Sequence, residues 1–272
     1  MNNLKKVGLS ALAGTLASLS AAQAGELSVT GSAELSYVQR DNGEVTGNPI
    51  GMNKNIAFAG SGELDNGWTV SVLHGLSDAI GHSSSSLTLG MGALGSLSVD
   101  SGTGGYGLAA LDNVVPIAFE EADAGFSTGL VDAGSVVSNH GSIHWQAPVI
   151  MNAKIQAGYI PRGGSAAVAD GGTSGDTGSG RGFSVTADWS PEMLPGLRIG
   201  GGFGELEHGS SAADNSDKEE ETIFATYTFG PLSVGYQRTE EDNPGSTNYE
   251  TDVYGASFNV NDNLSFSYSE MR

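Results

Sequence analysis

An all-β fold, a transmembrane antiparallel β-barrel, is what this sequence of 272 residues predicts. Three observations lead there. Polar and apolar residues alternate in segments of about ten residues. The connections between those segments alternate as well, short at one end and long at the other. A cleavable leader, finally, takes the chain out of the cytoplasm.

The leader comes first in the chain. MNNLKK supplies a charged start, VGLSALAGTLASLSA an apolar run of small residues, and Ala22, Gln23 and Ala24 an A-x-A cleavage site. The run is too short for a spanning helix. Cleavage after Ala24 is therefore expected, with residues 1–24 the signal peptide and residues 25–272 the barrel. From Gly25 onward no apolar run is long enough for a transmembrane helix, and the absence of cysteine excludes a disulfide scaffold. The chain has 11 basic and 31 acidic residues; without Lys5 and Lys6 this becomes 9 against 31, a net charge of minus 22. Such acidity argues against nucleic acid as a partner. It suits a solvated surface or an aqueous cavity that favours cations.

From Glu26 to Tyr37 the alternation is strict, with Leu27, Val29, Ala33, Leu35 and Tyr37 on one face and Glu26, Ser28, Thr30, Ser32, Glu34 and Ser36 on the other. It returns in Phe183, Val185, Ala187 and Trp189 against Ser184, Thr186 and Asp188, and in Leu264, Phe266 and Tyr268 against Ser265, Ser267 and Ser269. Short turns are read at Asp65-Asn66-Gly67, Gly92 to Gly95, Pro148 to Asn152, Pro191 to Gly196, Gly230-Pro231 and Val260 to Asn263. Long polar loops are read at Gln39 to Asn53, Ser77 to Ser86, Ser101 to Asn139, Pro161 to Arg181, Glu207 to Glu220 and Glu240 to Tyr249. The count comes to about thirteen strands. A soluble sandwich has no reason to keep this asymmetry, whereas a barrel with periplasmic turns and external loops requires it.

LTLGMGALGSLSVD, from Leu87 to Asp100, places Gly90, Gly92 and Gly95 in the spacing G-x-G-x-x-G. A dinucleotide site needs a helix N-terminus after those glycines. Here Leu97 and Val99 alternate with Ser96, Ser98 and Asp100, so a second strand follows. The glycines read as hairpin punctuation and bare wall where another backbone can come close.

GALGSLSVD, the long loop after it, and SNHGSIHWQAPVIMNAKIQAGYI from Ser138 to Ile160 resemble the general porins of Gram-negative bacteria. GELSVTGSAELSYV and NVNDNLSFSYSE are similar to the alpha-proteobacterial branch. The resemblance covers nearly all of residues 25–272. It implies a sixteen-stranded barrel, usually a homotrimer, whose third external loop folds inward to narrow the pore. Family members end on an aromatic residue at the periplasmic side; this chain ends on Met271-Arg272 after about thirteen strands, so the resemblance implies a barrel incomplete at the C-terminus.

The segment from Ser101 to Asn139 carries Asp112, Glu120, Glu121, Asp123 and Asp132 and no Lys or Arg. Connections of this length are functional or disordered. Folded inward, it would stand its carboxylates in the pore. Strand parity nominates the opposing bases: Arg40 is in phase with Ser36 and Glu34, Lys154 with Gln156, and Arg198 with Gly200 and Gly202. Lys54 and Arg238 share phase with apolar neighbours near loop ends.

Two other classes compete. His140-Gly141-Ser142 and His82-Ser83-Ser84 give His-x-Ser, which resembles the site of outer-membrane phospholipase, a barrel hydrolase. In the strand pattern His144 faces the lumen with Ser142, and His74 faces outward with Val70 and Val72. Gly104-Gly105-Tyr106-Gly107-Leu108 begins like a calcium-binding nonapeptide repeat, but Ala109 stands where Asp is required and no tandem copy follows. The expected function is passive diffusion of small hydrophilic solutes and cations, with outer-membrane lipid and sister subunits as partners and no organic cofactor. Tyr37, Trp68, Trp145, Tyr159, Trp189 and Tyr227 are candidates for the interfacial aromatic girdles.

Overall fold

The computed structural model describes residues 14–15, 26–37, 50–77, 81–118, 122, 142–161, 179–208, 217–243 and 248–272. It forms two compact units, Met1–Gly90 and Met91–Arg272. All strand pairing within each is antiparallel and between sequence neighbours.

The first unit contains β1 (Gly14–Thr15), β2 (Glu26–Tyr37), β3 (Ile50–Glu63), β4 (Thr69–Ser77) and β5 (Gly81–Gly90). The two-residue β1 lies inside the segment read as leader and pairs with Ser28 and Val29. β2 has the limits that its alternation predicts. The turn between β3 and β4 is closed by Gly67 N–H to Leu64 O at 2.8 Å and by Trp68 N–H to Asn66 Oδ1 at 3.1 Å.

One loop is much shorter than expected. The sequence predicts a connection from Ser77 to Ser86, yet only residues 78–80 separate β4 from β5. Leu87 pairs with Val72, Ser86 with Leu73 and Ser85 with His74, so the serine run is strand. Both faces of β5 are polar there, and a strand with two polar faces has no period-two contrast to read. Between Gly75 and Leu76 the register slips: Gly75 faces Ser84 but Leu76 faces His82, leaving Ser83 as the extra residue of a β-bulge.

The second unit contains β6 (Ser96–Ser101), β7 (Ser142–Gln146), β8 (Ala153–Ile160), β9 (Ser179–Trp189), β10 (Leu197–His208), β11 (Lys218–Phe229), β12 (Leu232–Asp242), β13 (Tyr249–Asn261) and β14 (Leu264–Met271). With β2 to β5 these make thirteen strands of ordinary length among the described residues. The turn that opens the unit is a single 3-10 turn, Gly92–Leu94, closed by Met91 N–H to Gly95 O at 2.8 Å, and β6 follows it directly. No helix stands where a pyrophosphate would need one. At Gly95, φ is +84° and a Cβ would fall 2.0 Å from Gln146 O, so only glycine fits. β9 to β12 reach two or three residues into the loops expected at their outer ends and β13 one; in β11 and β12 charge on both faces hides the alternation there.

Burial is inverted relative to a soluble protein. Ile155, Val185, Ile223, Val234, Tyr254 and Phe258 are exposed, whereas Ser98, Gln156, Thr186, Thr222, Gln237, Thr239 and Thr251 are buried. An exposed apolar face of this extent needs lipid or protein against it. Among the described residues, three of the six buried hydrophobic side chains, Leu108, Leu111 and Val115, belong to no strand. They come from the chain that follows β6.

Candidate functional site

The chain leaves β6 at Ser101 and crosses the polar face of β8 to β13 as residues 102–118, with a 3-10 segment at Gly107–Leu111. Glycines in the wall make room for it. A methyl group on Gly202 or Gly204 would fall 2.8 or 2.9 Å from the Leu108 side chain, on Gly235 2.5 Å from Pro116 Cδ, and on Gly255 2.9 Å from Val115 Cβ. Gly202 and Gly204 lie two apart on β10, and Gly235 and Gly255 are ladder partners on β12 and β13, so all four leave the polar face bare.

Two glutamines hold the segment to that track. Gln156 on β8 accepts from Gly107 N–H at 3.0 Å and donates to Gln146 Oε1 at 3.1 Å. Gln237 on β12 accepts from Val114 N–H at 3.0 Å and donates through Nε2 to Leu111 O at 2.7 Å. Its position is fixed further by Thr222 Oγ1 at 3.1 Å, which lies 3.1 Å from Thr239 Oγ1. Backbone groups of an irregular segment are thus satisfied by wall side chains, the condition for placing such a segment against a packed surface.

Beside Gly107, Tyr106 stacks on His144 with ring centres 5.2 Å apart and planes inclined by 20°. His144 Nε2 lies 2.7 Å from Ser142 Oγ, and both residues face the polar side, as their phase predicts. The His-x-Ser readings fare differently. Ser142 is 0% exposed, so no ester could reach it, and His82 meets Ser85 rather than Ser84. His140 lies outside the described residues.

Of the acidic candidates, Asp112 ends the 3-10 segment, half-buried, and accepts from Asn113 Nδ2 at 3.0 Å. Glu120, Glu121, Asp123 and Asp132 lie outside the described residues, as does Arg40. Lys154 and Arg198 are brought around one carboxylate: Lys154 is the ladder partner of Asp188, and Arg198 forms a two-armed ion pair with it, Nε to Oδ1 at 3.0 Å and Nη2 to Oδ2 at 2.7 Å. The Arg198 guanidinium also lies 4.9 Å from the centre of the Phe224 ring. Arg238 shares the phase of apolar Val234 and Tyr236, as its sequence position implies. It lies mid-strand on the apolar side, bridging Glu240 and Glu250 at 2.6 Å each.

The polar face holds further charges. Asp100, hydrogen-bonded by the Thr103 hydroxyl, is buried at the end of β6, and Glu220 and Glu241 are buried at the start of β11 and the end of β12. Lys218 pairs with Glu241 at 2.9 Å. Parity with Ser98, Thr222 and Thr239 was the signal that could have found these three carboxylates. Trp145 and Trp189 each donate to a short-turn carbonyl, Leu94 O at 2.9 Å and Met151 O at 3.0 Å, which sets two girdle candidates at the same end of the strands. Among the described residues, no group of three or more histidine and carboxylate side chains is placed to hold a metal ion.

A family model described as Gram-negative porin matches residues 8–272. Among solved structures, a porin refined at 1.8 Å resolution shares 15% identity over 90% of this chain and 83% of that one, with a TM-score of 0.59. The anion-selective porin from Comamonas acidovorans shares 16% identity over 90% and 78%, with a TM-score of 0.56. No curated protein matches the sequence.

Proposed function

The chain belongs to the Gram-negative porin family, and from that premise we propose that ions and small hydrophilic solutes diffuse passively through it, cations preferentially, past residues 101–139 folded inward as the constriction. Membership makes it an outer-membrane β-barrel channel protein and not an enzyme. On the proposed reading, residues 1–24 direct export and are removed. The exposed apolar face meets lipid and the other subunits of a homotrimer.

The observation that carries the proposal is the seating of residues 102–118 on the glycine track of β10, β12 and β13, tied by Gln156 and Gln237. A segment held on the polar wall of a barrel narrows whatever space that wall encloses. Size exclusion and the local field then rank the permeants. Fold leaves the sign of that field open, since one structural neighbour is anion-selective. Charge argues for cations: the chain carries minus 20, and residues 101–139 contain five carboxylates without Lys or Arg. Lys154 and Arg198 oppose this less than their number suggests, because Asp188 lies between them.

The test is the reversal potential across a planar bilayer in a salt gradient. Wild-type protein should show cation preference, and three-step insertions should mark the trimer. Neutral amides at Glu120, Glu121 and Asp123 should reduce the preference far more than amides at Asp214 and Asp217. Charges on outer loops are screened within about 8–10 Å at physiological salt, whereas charges at a constriction act at contact distance. Anion preference in the wild type would overturn the proposal.

A further inference from the structure

The β-bulge at Ser83 changes the direction of one side chain. With unbroken alternation, His82 would share the face of Ser84 and Gly75. The extra residue instead pairs His82 with Leu76 and turns it onto the face of His74 and Ser85. The two imidazole rings come to 5.3 Å between centres, inclined by 44°, and both residues are exposed near the end of the hairpin that leads into residues 78–80. Two imidazoles bound to one tetrahedral ion, each at about 2.0–2.1 Å, have ring centres about 5 Å apart. The spacing therefore suits a shared ion without movement of either strand.

We propose that His74 and His82 form a two-imidazole site for a first-row divalent transition-metal ion, copper or zinc, on the outward face of the β4–β5 hairpin. Ser85, opposite His74 in the ladder, places its hydroxyl 3.4 Å from His82 Nε2. That oxygen can accept the Nε2 proton, which leaves Nδ1 as the ligating nitrogen and fixes the ring for it. Among the described residues no third histidine or carboxylate joins the pair. Copper binds most tightly among the divalent ions that imidazole favours. Bound metal ties the two strands together where the bulge interrupts their ladder, and it acts independently of permeation through the polar side.

Purified full-length protein titrated with Cu2+ and followed by electron paramagnetic resonance tests this directly. One site with splitting from two imidazole nitrogens is expected. His74→Gln and His82→Gln should each weaken it at least about tenfold, Ser85→Ala about tenfold, and His208→Gln should leave it unchanged. Single-channel current identical to wild type in the histidine variants verifies that the fold is intact. Equal Cu2+ affinity in wild type and in the His74→Gln/His82→Gln double variant, or no binding to wild type, would overturn the proposal.

Discussion

Gln237 ties the wall to the crossing segment with both ends of one amide, accepting from Val114 N–H and donating to Leu111 O. Gln237→Ala leaves both backbone groups without that partner, at roughly 1–3 kcal/mol each. The held state of the segment should then lose population by at least about tenfold. Higher single-channel conductance with more open-channel noise is expected, and Gln237→Glu, which keeps the acceptor, should fall between the two. Current indistinguishable from wild type would show that the amide holds nothing of consequence. Sequence parity placed Gln156 and His144 on the watery face correctly. It could not pair Gln156 with Gly107 or Gln237 with Val114, since these bonds join residues 49 and 123 positions apart. Nothing local encodes them.

At the scale of elements, the fit between residues 102–118 and the wall depends on what the wall lacks. Gly235 and Gly255 are the places where Pro116 and Val115 come closest, at 2.5 and 2.9 Å from an added methyl. Gly235→Val and Gly255→Val should push the segment off its track while the ladders of β12 and β13 persist, because valine suits a strand. Altered conductance with unchanged resistance to heat unfolding is the expected pair of results. Gly81→Ala, with nothing within 4 Å of the new methyl, should change neither. The strands were legible wherever one face is apolar: β2 begins and ends where the alternation of Glu26 to Tyr37 does. They were illegible where both faces are polar, in the serine run of β5 and the acidic ends of β11 and β12. The bulge at Ser83 left no mark in the sequence, since a one-residue slip among serines changes no pattern.

The whole molecule is acidic, yet its described bases are largely committed to carboxylates: Arg198 to Asp188, Lys218 to Glu241, Arg181 to Glu207 and Arg238 to Glu240 and Glu250. Such pairs cancel their own fields at a distance, so selectivity falls to carboxylates beyond them. Family and architecture were readable at this scale because the inverted polarity and the turn-loop asymmetry run through the entire chain. The charged arrangement of the lumen was readable only in part, because strand parity gives the face of a side chain and not its partner. Whether the chain after β6 lines the permeation path can be measured directly, because the sequence contains no cysteine. Ala110→Cys, in the 3-10 segment that crosses the wall, is treated with a bulky charged thiol reagent during single-channel recording, beside Phe229→Cys on the exposed apolar face. Modification at position 110 should remove at least about half of the current by occluding the narrowest part of the pore, while position 229 stays silent. Undiminished current after complete modification of Cys at position 110 would contradict a lining role for this segment.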